Sequence, residues 1–116
     1  AVSQSRLIDL SEFSEMFDND REVIQPLILA FKESLSENAN CLNKAISEGG
    51  EVEKVRLYSH SIKGSSSGYG AVPLSEAAAR LEDACRHGRV SEVKKHFPEV
   101  EDLVGKTLQA LSDLGY

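Results

Sequence analysis

Three histidines carry the most versatile side chains in this sequence, because imidazole is the side-chain group that changes charge near neutral pH. They are His60, His87 and His96. His87 is next to Gly88 at a predicted helix end, where the helix dipole favours an imidazole, and His96 follows two lysines. A solvated surface position explains both of these histidines. His60 differs from them, because the residues at helical spacing around it could take part in chemistry.

His60 lies in the middle of a predicted helix and is predicted to face solvent, because the apolar residues of that helix fall on the opposite side. At about 100° per residue, four residues share the outward face with His60: Arg56, Lys63, Gly64 and Ser67. A glycine in an exposed helix costs about 1 kcal/mol relative to alanine. Gly64 therefore suggests that another molecule approaches the backbone there; the alternative is that it only begins the glycine-rich end of the helix.

This arrangement suits an imidazole that accepts a phosphoryl group. A neutral imidazole offers a nitrogen lone pair, and the ammonium group of Lys63 could stabilise the negative charge on the phosphoryl oxygens. Gly64 would leave room for the molecule that carries the phosphate. His60 has no acidic, cysteine or histidine partner at helical spacing for a metal site, and no acid is seen that would orient its ring for a serine–histidine pair. The sequence also has no phosphate-binding glycine loop, so no independent kinase activity is expected.

Helices are predicted to position these residues along nearly the whole chain. A short first helix carries apolar residues on one side: Leu10, Phe13, Met16 and Phe17. Asp20 is the predicted N-cap of a long second helix that is halted by Gly49-Gly50. The spacing of its apolar residues by three and four predicts an amphipathic helix of about seven turns.

The third helix is predicted over about residues 51–67. The fourth is expected to start at Pro73 and to end at Gly88, and the fifth to be capped by Ser91 and to be kinked or split at Pro98. Short connections between long helices imply antiparallel neighbours. The fold class is therefore predicted to be all-α, an antiparallel up-down four-helix bundle with a short additional N-terminal helix.

Composition limits the partners and the compartment of the chain. Hydrophobic residues make up 41% and charged residues 28%, and 19 acidic against 13 basic residues give a net charge of −6. The acidic balance argues against nucleic acid or an anionic membrane as a partner, and no apolar run reaches the ~20 residues of a membrane span. Cys41 and Cys85 lack the spacing of a metal or redox pair, so two buried, reduced thiols of a cytoplasmic protein are expected. One domain is predicted over residues 1–116.

The segment from about residue 55 to residue 88 resembles the histidine-containing phosphotransfer (HPt) domain family. The resemblance is carried by Ser59-His60-Ser61-Ile62-Lys63-Gly64-Ser65-Ser66, Gly70-Ala71, Leu74, Ala78, Leu81-Glu82, Ala84, Arg86 and Gly88. Two residues depart from the usual pattern by a packing change, Ser59 in place of alanine and Ile62 in place of leucine. Gly68 is an added glycine, and we expect it to end the third helix early or to loosen it.

The resemblance implies a phosphorelay intermediate of two-component signalling. His60 would be phosphorylated reversibly by the phospho-aspartate of a receiver domain and would pass the phosphoryl group to another receiver. Lys63 would stabilise the phosphoryl charge and Gly64 would give the partner clearance. No cofactor of the chain itself is implied, because the Mg²⁺ belongs to the receiver, which is part of a response regulator or of a hybrid sensor kinase.

A docking surface for receivers is predicted around His60, formed by Arg56, Leu57 and Ser67. Leu57 falls beside His60 and Gly64 on the helix, where an apolar side chain would be exposed. A small apolar spot ringed by cations suits a transient complex with an acidic pocket. The chain is expected to be a monomer. Two alternatives remain open: a helical adaptor that binds a partner through the His60 face without accepting phosphate, and a metal-binding bundle.

Overall fold

The computed structural model describes residues 7–49 and 51–116, and all the regular secondary structure in these ranges is helical. The helices are α1 (Ser11–Glu15), α2 (Arg21–Ser47), α3 (Val52–Tyr69), α4 (Val72–Arg86) and α5 (Val90–Asp113). No helix in the described part of the chain is long and apolar enough to cross a membrane.

The four long helices pack side by side as a closed ring. Helix α3 contacts α2 and α4, while α5 contacts α4 and α2, so α5 lies diagonally across the bundle from α3. The connections between consecutive long helices are only a few residues long, which makes neighbouring helices antiparallel. Helix α1 packs against α3. The predicted all-α bundle with a short additional N-terminal helix is confirmed.

The core is built from one apolar stripe on each long helix. Side chains that are fully withdrawn from solvent include Ile28, Leu35, Leu42, Ile62, Leu74, Leu81, Val100 and Leu111. Burying a side chain of this size stabilises the fold by about 1.5–3 kcal/mol relative to leaving it exposed. Because the buried residues of each long helix recur mainly at intervals of three, four and seven, burial fixes the rotation of each helix and therefore which residues remain on the outside.

Several predicted helix boundaries are confirmed and others are wrong. Asp20 caps α2, since its carboxylate accepts a hydrogen bond from the backbone N–H of Glu22 at 3.0 Å. Ser91 does not cap α5, which begins one residue earlier at Val90. Pro98 does not split α5. Because proline has no N–H, the carbonyl one turn before it receives no helical hydrogen bond, but Pro98 lies on the exposed side, where water can bind that carbonyl instead.

The structure also tests three smaller expectations, which concern the end of α2, the burial of Met16 and the burial of the two thiols. Helix α2 ends at Ser47, before Gly49, and Gly50 lies outside the described residues. Met16 is exposed rather than packed, because α1 ends at Glu15. Both cysteines are free thiols, and Cys85 is buried as expected, but Cys41 is exposed because it lies on the outer side of α2.

The C-terminal end of α3 is held by residues from other parts of the chain. Tyr69 stacks on Phe31 with ring centroids 4.3 Å apart and donates a hydrogen bond to the carbonyl of Leu27 at 3.1 Å. Gly70 ends the helix in a left-handed conformation with φ of 85°, and its carbonyl accepts from the N–H of Asp9. These contacts explain why α3 continues through Gly68, so the expectation that Gly68 ends the helix early is wrong.

Candidate functional site

His60 projects from the middle of α3 with 59% of its side chain exposed, which confirms the predicted outward orientation. One ring nitrogen is held: Nδ1 lies 2.6 Å from Oε2 of Glu82 on α4. The other nitrogen, Nε2, has no hydrogen-bond partner among the described residues. The ring is therefore fixed at one edge and accessible to solvent at the other.

Glu82 is the acidic residue that holds the ring, and only 3% of its side chain is exposed. Its second oxygen, Oε1, accepts a hydrogen bond from Nζ of Lys63 at 2.6 Å. Burial by itself raises the pKa of the Glu82 carboxyl, but the hydrogen bonds and charges of Lys63 and His60 outweigh burial and leave that pKa below its ordinary value. Glu82 is therefore an ionised carboxylate at neutral pH, and it is paired on both oxygens.

The charge of Glu82 determines which nitrogen of His60 carries the proton. An ionised carboxylate can only accept hydrogen bonds, so the 2.6 Å contact requires a proton on Nδ1. A neutral ring with its proton on Nδ1 has its lone pair on Nε2. In that neutral form the ring presents an unprotonated nitrogen, fixed in direction, at the surface of the bundle.

Close packing of α4 against α3 brings these side chains together. Small buried residues of α4, Ala77 and Ala78, let the two helix backbones approach, while Leu81 anchors α4 in the core. The hydroxyl of Ser75 donates a hydrogen bond to the backbone carbonyl of Lys63 at 3.1 Å. Helix α4 therefore holds the backbone of α3 at Lys63 as well as the side chains of His60 and Lys63.

Gly64 lies one turn beyond His60 on an exposed part of α3. A Cβ atom added at Gly64 would meet no other atom within 4 Å, and the same is true of Gly68 one turn further on. The fold therefore does not need glycine at either position. Packing within the described residues therefore explains neither glycine, and the surface of α3 at Gly64 is open.

Comparison with known proteins identifies the family of the chain. The family model described as Hpt domain matches residues 26–113, which include most of α2 and all of α3, α4 and α5. The chain belongs to the Hpt domain family. It is also 28% identical over 110 residues, 95% of its length, to the phosphorelay intermediate protein rdeA of Dictyostelium discoideum, and it spans 41% of the length of that relative. Comparison with solved structures found no match.

The remaining predicted site residues of this Hpt domain lie on α3 around His60. Leu57 is 51% exposed, and Ser67 is also exposed. Arg56 is half-buried and is held by Glu53, whose charge raises the pKa of the Arg56 guanidinium through a hydrogen bond. Arg56 is therefore less free to meet a partner than the sequence suggested, whereas Leu57 and Ser67 are accessible.

Glu82 is the residue of this Hpt domain that the sequence analysis missed. The expectation that no acid orients the His60 ring is wrong, because the acid comes from the next helix, 22 residues further along the chain. One signal was present: Glu82 follows Leu81 and lies between Ala78 and Cys85 on the apolar side of α4, where an acidic residue is unusual unless it is paired.

The described part of this Hpt domain contains no group of three or more histidine, cysteine, aspartate or glutamate side chains placed to hold a metal ion. His60 and Glu82 are together, but the other two groups on the carboxylate, Lys63 and Arg86, are cations. A cationic surrounding repels a metal ion and attracts an anion such as a phosphoryl group. The alternative of a metal-binding bundle is therefore not favoured at this site.

Proposed function

We propose that this Hpt domain is a phosphorelay intermediate of two-component signalling, in which His60 reversibly accepts a phosphoryl group from an aspartate of one receiver domain and passes it to another receiver. The observation that carries the proposal is the fixed ring of His60, with Nδ1 bonded to the buried Glu82 carboxylate and Nε2 turned to solvent. Family membership supports it, as does the similarity to a phosphorelay intermediate protein.

The transfer step needs no external base in this arrangement. The lone pair of Nε2 forms a bond to the phosphorus of the phospho-aspartate, the bond from phosphorus to the aspartyl oxygen breaks, and its electron pair leaves with the carboxylate. Nδ1 keeps its proton, so the ring becomes a phosphorylated imidazolium whose positive charge lies 2.6 Å from Glu82. In the second transfer a carboxylate oxygen of the second receiver's aspartate forms a bond to phosphorus, the bond from phosphorus to Nε2 breaks with its electron pair returning to Nε2, and the ring leaves as a neutral imidazole.

Lys63 and Gly64 serve the same step in different ways. The Lys63 ammonium binds the same Glu82 carboxylate as the His60 ring, and its 32% exposed side chain has a flexible stem that can reach phosphoryl oxygens once the ammonium leaves Glu82. Gly64 leaves the surface beside His60 open for the receiver, since no described residue beyond the adjacent turns of α3 fills that space. Mg²⁺ would be supplied by the receiver, whose aspartate carries the phosphoryl group before or after its transfer to His60.

The partner surface is the outer face of α3. Leu57 offers an exposed apolar contact one turn before His60, and Ser67 offers a polar one two turns after it. Lys63 on this face and Arg86 on the adjacent helix α4 add local positive charge within an acidic chain, which suits the acidic pocket of a receiver. We propose that the chain works as a monomer in the cytoplasm with receivers of response regulators or hybrid kinases, and not with nucleic acid.

The proposal is tested by incubating the chain with a phosphorylated receiver and following the phosphoryl label. We expect a label that is stable in base and labile in acid, and we expect His60→Gln to abolish it while His87→Gln leaves it intact. A label that persists in His60→Gln would contradict the proposal. If His60→Gln also leaves signalling through the chain intact, the adaptor alternative is correct instead.

A further inference from the structure

The Glu82 carboxylate has three donor side chains around it, two that are bonded to it and one that is not. Lys63 occupies Oε1 at 2.6 Å and His60 occupies Oε2 at 2.6 Å. Arg86, one turn further along α4, has its Nη2 atom 3.7 Å from Oε2. This distance is within the range of an ion pair but is too long for a hydrogen bond. Arg86 is therefore next to Glu82 without being bonded to it.

Glu82 and the two cations beside it, Lys63 and Arg86, differ in how far their side chains can move. Glu82 is 3% exposed and cannot follow a departing partner, whereas the side chains of Lys63 and Arg86 are 32% and 55% exposed. A phosphoryl group on Nε2 of His60 would carry up to two negative charges beside this cluster. Lys63 would then have a stronger anion within reach of its flexible stem than the carboxylate it binds.

Departure of Lys63 would leave one oxygen of a buried carboxylate without its cation. The phosphorylated His60 ring would still pair with Oε2, but a buried carboxylate oxygen without a partner is unfavourable, so Lys63 can move more readily if another cation takes its place on Oε1. Arg86 is the one cation among the described residues that already lies within ion-pair distance of Glu82 and is not yet bonded to it. Its guanidinium can approach the carboxylate with two N–H groups at once.

We propose that Arg86 is a positioning residue for phosphoryl transfer: when His60 is phosphorylated, Lys63 leaves Glu82 for the phosphoryl oxygens and Arg86 closes onto the carboxylate. This inference rests on the proposed function, because it requires a phosphoryl group on His60. The inference adds Arg86 to the site as a second cation that can replace Lys63 on Glu82. The contact between Lys63 and the phosphoryl group would then depend on Arg86, although Arg86 itself does not touch that group.

The exchange can be measured through the ionisation of the phosphoryl group. The chain is phosphorylated with phosphoramidate, a small phosphodonor that needs no docking, and the phosphohistidine signal is titrated by ³¹P NMR. Contact with the Lys63 ammonium favours the dianion and lowers the titration midpoint. In Arg86→Met, Lys63 stays on Glu82, and we expect the midpoint to rise by about 0.3–0.7 pH unit, equivalent to two- to fivefold in proton affinity, as for a partly exposed ion pair.

Three further variants separate this exchange from a general effect of charge. Arg86→Lys should restore most of the wild-type midpoint. Arg89→Met removes the same charge from an arginine of similar exposure that pairs with Glu92 instead, and it should leave the midpoint nearly unchanged. In a Glu82→Gln background Lys63 is already released, so adding Arg86→Met should have no effect. Circular dichroism checks that each variant is folded.

The outcomes distinguish this inference from the proposed function. If the wild-type chain gives no phosphohistidine at His60, the proposed function fails. If His60 is phosphorylated but Arg86→Met has the wild-type midpoint, only the exchange is refuted. An equal shift in Arg89→Met, or a shift by Arg86→Met that persists with Glu82→Gln, would also refute the exchange, because the effect would then not pass through the Glu82 carboxylate.

Discussion

Replacing Gly64 with alanine is expected to make the chain more stable and a poorer partner for receivers. The two effects have different origins, because the structure has open space at Gly64 within 4 Å of an added Cβ atom, whereas a docked receiver would need that space. A change that stabilises the fold and weakens transfer is hard to explain by general damage. Gly64→Ala therefore separates the needs of the fold from the needs of the partner.

The size of each effect can be worked out. Alanine is favoured over glycine in a helix interior by about 0.8–1.0 kcal/mol, and no clash at Gly64 reduces this gain. For a chain of about this length a gain of 1 kcal/mol raises the midpoint of thermal unfolding by about 4–8 °C. Transfer depends steeply on distance, since a 1 Å misplacement of reacting groups can cost about 100-fold. We expect a several-fold loss with Gly64→Ala and a loss approaching 100-fold with the longer Gly64→Gln.

Thermal unfolding and two kinds of phosphorylation assay test this prediction. Gly68→Ala is the matched control: it should stabilise α3 similarly, since its Cβ also meets open space, but it lies a turn further from His60 and should affect transfer less. With phosphoramidate as donor, Gly64→Ala should be phosphorylated at the wild-type rate, because no protein has to dock. The reasoning is refuted if transfer from a phosphorylated receiver is unchanged in Gly64→Ala and Gly64→Gln, or if both donors are slowed equally.

Three other predictions concern the carboxylate, the end of α3 and the docking surface. The pKa of Glu82 is lowered from 4.5 by folding, so its ionisation stabilises the fold above pH 4.5 and the contribution is lost as the pH falls through the lowered pKa. Urea unfolding should show the stability difference between wild type and Glu82→Gln shrinking as the pH falls below 4.5, and a difference independent of pH would contradict this. Gly70→Ala should destabilise the chain by about 1–3 kcal/mol or more, because the added Cβ would lie 1.9 Å from the Asp9 carbonyl oxygen at a φ of 85°; an unchanged urea midpoint would be the opposite result. Leu57→Ser should slow transfer from a receiver about fivefold, as for a contact worth about 1 kcal/mol. Leu114→Ser, at an exposed leucine just after the end of α5, should not; equal effects of the two would argue against a docking role for Leu57.

Periodicity was sufficient to predict most of the fold and the orientation of His60. Apolar residues at intervals of three and four determine which side of each helix is buried, so the outward direction of His60 follows from the positions of Val55 and Ile62 on the same helix. Asp20 was also predictable as an N-cap, because capping depends on a side chain and a backbone N–H two residues away. Features that depend on neighbouring residues of one helix could therefore be predicted from the sequence.

The parts of the site that were missed depend on how one helix is placed against another. The pairing of His60 with Glu82 requires the register of α4 along α3, which periodicity within one helix does not contain. The continuation of α3 through Gly68 depends on Tyr69 packing against α2, and this tertiary contact outweighs the low helix propensity of glycine. The apolar periodicity of a helix predicts whether a residue faces the core or solvent, but it does not predict which residue of another helix it contacts.

The most direct test of the account is NMR of the chain labelled with ¹⁵N in its histidine rings, before and after phosphorylation by a receiver. Before phosphorylation the His60 ring should carry its proton on Nδ1, in keeping with the contact to Glu82. After phosphorylation Nε2 of His60 should show coupling to phosphorus, while the rings of His87 and His96 stay unchanged. Phosphorus on Nδ1 of His60, or on either of the other two histidines, would contradict the central claim.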